Sequence, residues 1–298
     1  MMVTFIGRNR NPLVNKPFHL AIRFFRELIT IHHTCGKQIL FLYLFAILAS
    51  IHRIALSASL KPADDLMTGK TIHLTSHGKK IVIDGKNFGL IREIFCSKCY
   101  FPPLDGFVLK RGDTVVDLGC NVGVFTLLAA KTANHVIAVD ALSQFLPELE
   151  NNLRFNDCLD KVSIQLALVG SSRGVFAEKK QLQNSPYYSE APSRLSMNQI
   201  CRIYRVERID FLKVDIEGSE FDLFSVNNEW LECVRTIAME IHQHFGETDS
   251  IIKLLRRSGF QVWLRDKNGY FVDKLMDPIG YMYAIKEKAM TSTKHVNR

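Results

Sequence analysis

From residue 113 onward, short β-branched apolar runs take turns with segments whose apolar residues recur at helical spacing. The runs lie at 113–118, 135–140, 162–168, 209–215 and 234–241. Helical spacing follows at 122–132, 143–155, 218–226 and 247–258, with a short helix at Ser196–Cys201. Pro147 falls in the first turns of its helix, where its ring costs less than in the interior. Phe260–Leu264 and Tyr281–Ile285 add two strands, the last antiparallel. This alternation predicts an α/β fold: a Rossmann-like, seven-stranded, mostly parallel sheet with helices on both faces. Residues 170–194 are polar and read as a short strand and a mobile loop over the site.

The pattern before residue 113 differs. Leu20–Ile31 sets Ile22, Phe25, Leu28 and Ile29 on one helical face, and Ile39–Ile51 is an unbroken run of apolar and small residues. The run meets His52-Arg53 and resumes as Ile54–Leu60, so it reaches the length of a membrane span only if those two residues are buried or snorkel. Three readings stay open for residues 1–60: a membrane-associated or re-entrant helix, a helix packed on the domain, and a cleaved signal peptide. Residues 61–78, with Pro62, Gly69 and Gly78, read as a linker. Lys79–Asp84 and Phe88–Phe95 flank Gly85 and predict a β-hairpin. The remaining divisions are a domain at 79–288 and a tail at 289–298.

Charge sharpens this division. The 298 residues carry a formal net charge of +8, and residues 1–63 hold eight Lys/Arg against one Glu. The rest is nearly neutral and shows no nucleic-acid footprint. Seven cysteines, odd in number and dispersed, do not form a disulfide framework. Cys96-Ser-Lys-Cys99 has the spacing of half a zinc site, but no second pair follows. Cys120 is expected to be buried as a small apolar group.

Candidate chemistry begins at Asp117-Leu-Gly-Cys-Asn-Val-Gly123, a turn between strand and helix. The dinucleotide fingerprint requires a third glycine where Val124 stands. Asp117 would repel a pyrophosphate but suits the ammonium and sulfonium charges of S-adenosyl-L-methionine, and is expected either near the methionine ammonium or beneath the turn. Asp140, ending the next strand, stands where an acid can take both ribose hydroxyls. Gly119 and Gly123 permit close backbone approach, and Asn121 is placed to bond the methionine end. The alternatives are an NAD(P)-dependent oxidoreductase with a related βαβ core and an inactive membrane-associated binding protein. Tyr100-Phe101-Pro102-Pro103 reads as a packed loop or the border of a substrate mouth.

Asp117–Gly123, Lys213-Val-Asp-Ile-Glu-Gly218 and Met239-Glu-Ile-His242 together resemble the FkbM family of S-adenosylmethionine-dependent methyltransferases, over roughly residues 80–285. At 140–141 the chain has Asp-Ala where family members more often carry Glu-Pro. The resemblance implies O-methylation of a hydroxyl on a sugar, lipid or secondary metabolite. A hydroxyl is a poor nucleophile, so a base is expected at the ends of the fourth and fifth strands. Asp215, Glu217 and His242 are the catalytic candidates, with Glu240 and His244 nearby. No metal is assigned, although a carboxylate–histidine cluster could hold Mg²⁺. Use of cytosolic donor favours a cytoplasmic enzyme, with association to a membrane through residues 20–60 as one of the readings left open.

Overall fold

The computed structural model describes residues 16–76, 78–170, 192–225 and 227–286, and the predicted loop at 170–194 lies almost wholly outside them. The sheet core follows the alternation of the sequence. Strands β3 (Thr114–Leu118), β4 (His135–Asp140), β5 (Val162–Leu166), β6 (Phe211–Val214) and β7 (Thr236–His242) are all parallel. β8 (Phe260–Asp266) and β10 (Ile279–Lys286) complete the predicted seven, and β10 inserts antiparallel between β7 and β8. A two-residue strand, β9 (Phe271–Val272), folds back on β8 and makes the sheet eight-stranded, in the order β5-β4-β3-β6-β7-β10-β8-β9. Its shortness kept it below the threshold of any periodicity.

Helices α5 (Val124–Ala130) and α6 (Leu146–Phe155) cover one face, and α7 (Met197–Ile203), α8 (Glu220–Leu223) and α9 (Thr248–Arg257) the other. Because side chains alternate along a strand, each central strand feeds both layers. Val116, Leu118, Leu212, Val214, Met239 and Ile241 enter the α7–α9 layer. Val115, Phe211 and Ala238 enter the α5–α6 layer. Asp117, Lys213, Glu240 and His242 share the parity of this second set, so one sheet face carries the charged groups.

The N-terminal region departs from the sequence reading. A single kinked helix, α1 (Lys16–Ala49), spans both predicted apolar segments and breaks at Gly36, whose φ of 84° and ψ of 168° are not helical. α2 (Ile51–Ser57) follows. The stretch 61–78 is structured, with α3 (Lys61–Asp65) and β1 (Thr71–Ser76). The hairpin pairs β1 with β2 (Lys79–Asp84), so its turn holds Gly78 at φ +73°, not Gly85. Phe88–Phe95 is helical, as α4 (Phe88–Ile91) and a π turn at Arg92–Cys96. Phe88, Ile91, Ile94 and Phe95 are buried at helical spacing, which overrides a strand.

This region shares the core of the α5–α6 layer: Ile31, Tyr43, Ile72, Ile83 and Phe88 cluster with Phe125, Leu128 and Val136. A polar knot fastens it. The Arg92 guanidinium donates two 2.8 Å bonds to Asp64 and pairs with Glu27, and Tyr43 donates to Asp64 at 3.0 Å. All three charged side chains are at most 16% exposed, so the knot is a buried ion cluster.

Candidate active site

The central cavity, about 310 Å³, opens at the carboxyl ends of β3, β4 and β6, where the strand order reverses and α/β folds bind ligands. The β3–α5 turn forms its floor. Gly119 has φ +74°, and a Cβ there would lie 1.7 Å from the Asp215 carbonyl oxygen, so no other residue fits. Gly123 has φ +85° and packs under Leu149, supporting the turn without facing the cavity. Asn121 faces the cavity at φ +49°, and its own Oδ1 accepts from Val122 N at 2.7 Å.

Asp140 lies at the rim. Its two oxygens accept from the Asn121 and Leu142 backbone N–H groups, at 2.8 and 2.9 Å. Burial pushes its carboxyl above the usual range, while those two bonds pull it back. Each oxygen keeps a further lone pair for a hydroxyl.

Asp117 is fully buried and does not line the cavity. It accepts from Thr126 Oγ1 at 2.6 Å and sits 3.2 Å from Lys213 Nζ, its partner in strand register. Of the two positions the sequence allowed it, beside the ammonium or beneath the turn, it takes the second. Lys213 Nζ in turn donates to the Gly119 carbonyl at 2.6 Å and faces the cavity. Burial opposes its charge, but Asp117 and Asp215 outweigh burial and hold it protonated.

Beyond the turn, Asp215 and Glu217 face the cavity. Asp215 accepts from Tyr100 Oη at 2.9 Å. Glu217 adopts φ +53°, a sparsely occupied conformation for a non-glycine residue, next to Gly218 at φ +97°. A Cβ on Gly218 would strike the Phe245 ring at 2.2 Å. His242 is buried behind them, with Nδ1 2.9 Å from Glu220 Oε1 and Nε2 3.5 and 4.0 Å from Glu217 and Glu240. Burial would depress its pKa, but the Glu220 hydrogen bond and charge prevail and push it up to about 9. Glu240 is pushed up to about 9 as well, by burial and then by Asp215 and Glu93. His244 is exposed, packs on Phe245 and meets the His242 ring edge-on, with centroids 6.4 Å apart. Ligating atoms of Asp215, Glu217 and His242 lie within 4.8 Å of one another.

Two cavity residues came from segments read otherwise. Tyr100, in the aromatic–proline stretch, borders the cavity. Glu93 was assigned to the hairpin, yet it faces the cavity and accepts from Tyr281 Oη at 3.1 Å. Helical spacing of Phe88, Ile91 and Phe95 was the signal that would have placed it. A second cavity, about 600 Å³, shares Leu90 and Glu93 with the first and runs beneath α1, lined by Ile22, Arg26 and Tyr281.

The sheet order, the glycine turn and the acid ending β4 define a class I S-adenosylmethionine-dependent methyltransferase. Residues 117–262 match the Methyltransferase FkbM domain, and the chain carries a methyltransferase domain of that family. Methyltransferase sdnD of Sordaria araneosa is 26% identical over 62% of this chain and 86% of its own length. The 31-O-demethyl-FK506 methyltransferase FkbM of Streptomyces tacrolimicus is 26% identical over 58% of this chain and 81% of its own. AMB antimetabolite synthetase AmbE of Pseudomonas aeruginosa is 26% identical over 58% of this chain, and the match spans 10% of that protein. The enzyme is a methyltransferase that uses S-adenosylmethionine, and the nicotinamide alternative falls away.

Proposed function

We propose that the enzyme transfers the donor methyl group to a hydroxyl of a sugar, lipid or secondary metabolite, with Asp215 receiving the hydroxyl proton. The observation that carries this reading is the placement of Asp215. Its carboxylate faces the donor cavity directly beyond the glycine turn, oriented by Tyr100. Both His242 and Glu240 are held toward their protonated forms, which cannot accept the hydroxyl proton. In this reading His242 positions Glu217, and Glu217 faces the acceptor. The second cavity, joined through Leu90 and Glu93, receives the body of the acceptor. The similarity to the Streptomyces methyltransferase, whose name gives a 31-O-demethyl compound, supports oxygen as the attacked atom.

Donor roles follow the same geometry. Asp140 takes the ribose hydroxyls, Gly119 and Asn121 face the methionine end, and Asp117 acts through Lys213. Methyl transfer needs the acceptor oxygen in line with the methyl carbon and sulfur, so orientation supplies much of the rate. A labelled methyl donor offered to lipids, glycans and small alcohols identifies the acceptor. With it, Asp215→Asn should lower kcat by about 10²–10⁴ while donor affinity stays, the range expected for loss of a general base. Undiminished turnover in that variant would remove the assignment.

The 4.8 Å grouping favours one second reading, in which His242 gives up its proton and, with Asp215 and Glu217, holds a divalent cation that orients the hydroxyl. Its test is calorimetric titration of chelator-treated enzyme with Mg²⁺ and Mn²⁺. Binding that Glu217→Gln abolishes would establish it, and absence of heat with unchanged turnover in chelator would end it.

A further inference from the structure

We propose that the outward face of α1 and α2 docks the protein flat on an anionic lipid bilayer, with both helices in the plane of the surface. One side of α1 is spent on the domain, through Ile31, Tyr43 and Ala46. The other leaves large apolar side chains in solvent: Phe25, Ile29, Phe41, Phe45 and Leu48, continued by Ile51 and Leu56 of α2. Phe41, Phe45, Leu48 and Leu56 are 67–87% exposed. Exposed apolar side chains at this density mark an interaction site.

The geometry selects lying over crossing. The apolar stretch Phe24–Ala49 is long enough to span a bilayer only if straight. The break at Gly36 divides it into arms of 24–35 and 37–49, each roughly 18–20 Å long at ~1.5 Å per residue, against a hydrocarbon core of ~30 Å. Both arms are tied to the domain by polar groups, the first through Glu27 to Arg92 and the second through Tyr43 to Asp64. A crossing helix would break those ties or draw Arg92 and Asp64 into hydrocarbon.

Charge selects the occupant. Residues 1–63 carry seven positive charges in excess, and Arg26, Lys37 and Arg53 are exposed among the apolar groups. An apolar face edged with Lys and Arg fits the headgroup region of an anionic leaflet, whereas two copies of a basic face repel each other. Arg26 also lines the second cavity, so a docked enzyme meets an amphiphilic acceptor at that cavity's edge. That consequence alone rests on the function proposed above; the docking does not.

Co-sedimentation of the full chain with phosphatidylcholine vesicles, with and without phosphatidylserine, tests this. Wild type should pellet with the anionic vesicles and dissociate as salt rises. The triple variant Phe41→Glu, Phe45→Glu, Leu48→Glu should bind at least ~10-fold more weakly. S-adenosylhomocysteine titration of the variant reports its fold, and its affinity should match wild type. Equal recovery in the supernatant with both vesicle types would overturn the proposal. So would a stable wild-type dimer that the triple variant dissolves, or resistance of the cellular protein to alkaline carbonate, which marks a crossing helix. The vesicle assay needs no methyl transfer, so its failure is separate from failure of the proposed reaction.

Discussion

The two coverings of the α5–α6 face make an instructive pair. Helix α5 and the strands under it are held mainly by apolar packing and a register of short parallel strands, with Val115, Leu127, Leu128 and Val136 all buried and one ion pair, Asp117–Lys213, beneath the donor turn. The N-terminal cover of α1–α4 reaches the same core but is fastened by ions: Arg92, Glu27 and Asp64, with Tyr43 beside them. An apolar contact tolerates a modest change of shape, whereas a buried ion left without its partner is expensive. The donor half of the site stands on the first kind of structure. Glu93 and the second cavity stand on the second. The donor cavity and the second cavity should therefore fail separately.

The sharpest break is at the donor turn. Gly119→Ala forces a methyl group onto the Asp215 carbonyl at a φ that alanine avoids. The expected cost exceeds about 4 kcal/mol, beyond what most substitutions cause. Thermal unfolding should show this, together with loss of S-adenosylhomocysteine binding. Arg92→Ala leaves Glu27 and Asp64 buried and unpaired, for roughly 3–5 kcal/mol by denaturant unfolding. Its effect should fall on the cover, with faster amide exchange in α1 and β1 while the parallel strands keep their protection.

A gentler probe is pH. The folded pKa of His242, about 9, lies above its ordinary value near 6.5, so the folded state binds the extra proton. The stability it contributes is fully present below about pH 6.5 and is lost as pH rises through about 9, roughly 3 kcal/mol in all. Glu240 is shifted in the same direction and adds to the same fall. Unfolding free energy should decline between these limits, and His242→Gln should remove about half of the decline, leaving the part due to Glu240. A flat wild-type profile would contradict the Glu220–His242 contact.

The same pair of regions divides what the sequence disclosed. The parallel strands were legible because each is a β-branched run closed by a helix of different period, and the donor turn because glycine and acid stand at strand ends. The cover was not. Gly78 and Gly85 look alike in sequence, but the first supplies a positive φ and the second lets the chain pass where a Cβ would lie 2.1 Å from the Met67 carbonyl oxygen. A turn glycine and a close-approach glycine differ only in three dimensions, and choosing the wrong one misplaced the hairpin. β1 was hidden for a related reason: Ile72 and Leu74 alternate correctly, yet polar neighbours and nearby glycines read as a linker. At the site, Asp215, Glu217 and His242 were found from their motifs. The protonated state of His242 depends on Glu220 across a chain separation no pattern spans. Lys213 opens the Lys-Val-Asp-Ile-Glu-Gly run, and the structure pairs it with Asp117.

The account rests on a donor site at the carboxyl ends of β3 and β4, with Asp140 as its ribose acid. Calorimetric titration of wild type and Asp140→Ala with S-adenosylhomocysteine tests it most directly. The account predicts one site per chain in wild type and affinity at least ~10-fold weaker in the variant, the loss of charge-assisted hydrogen bonds, with secondary structure unchanged. Equal affinity in the two proteins would contradict it.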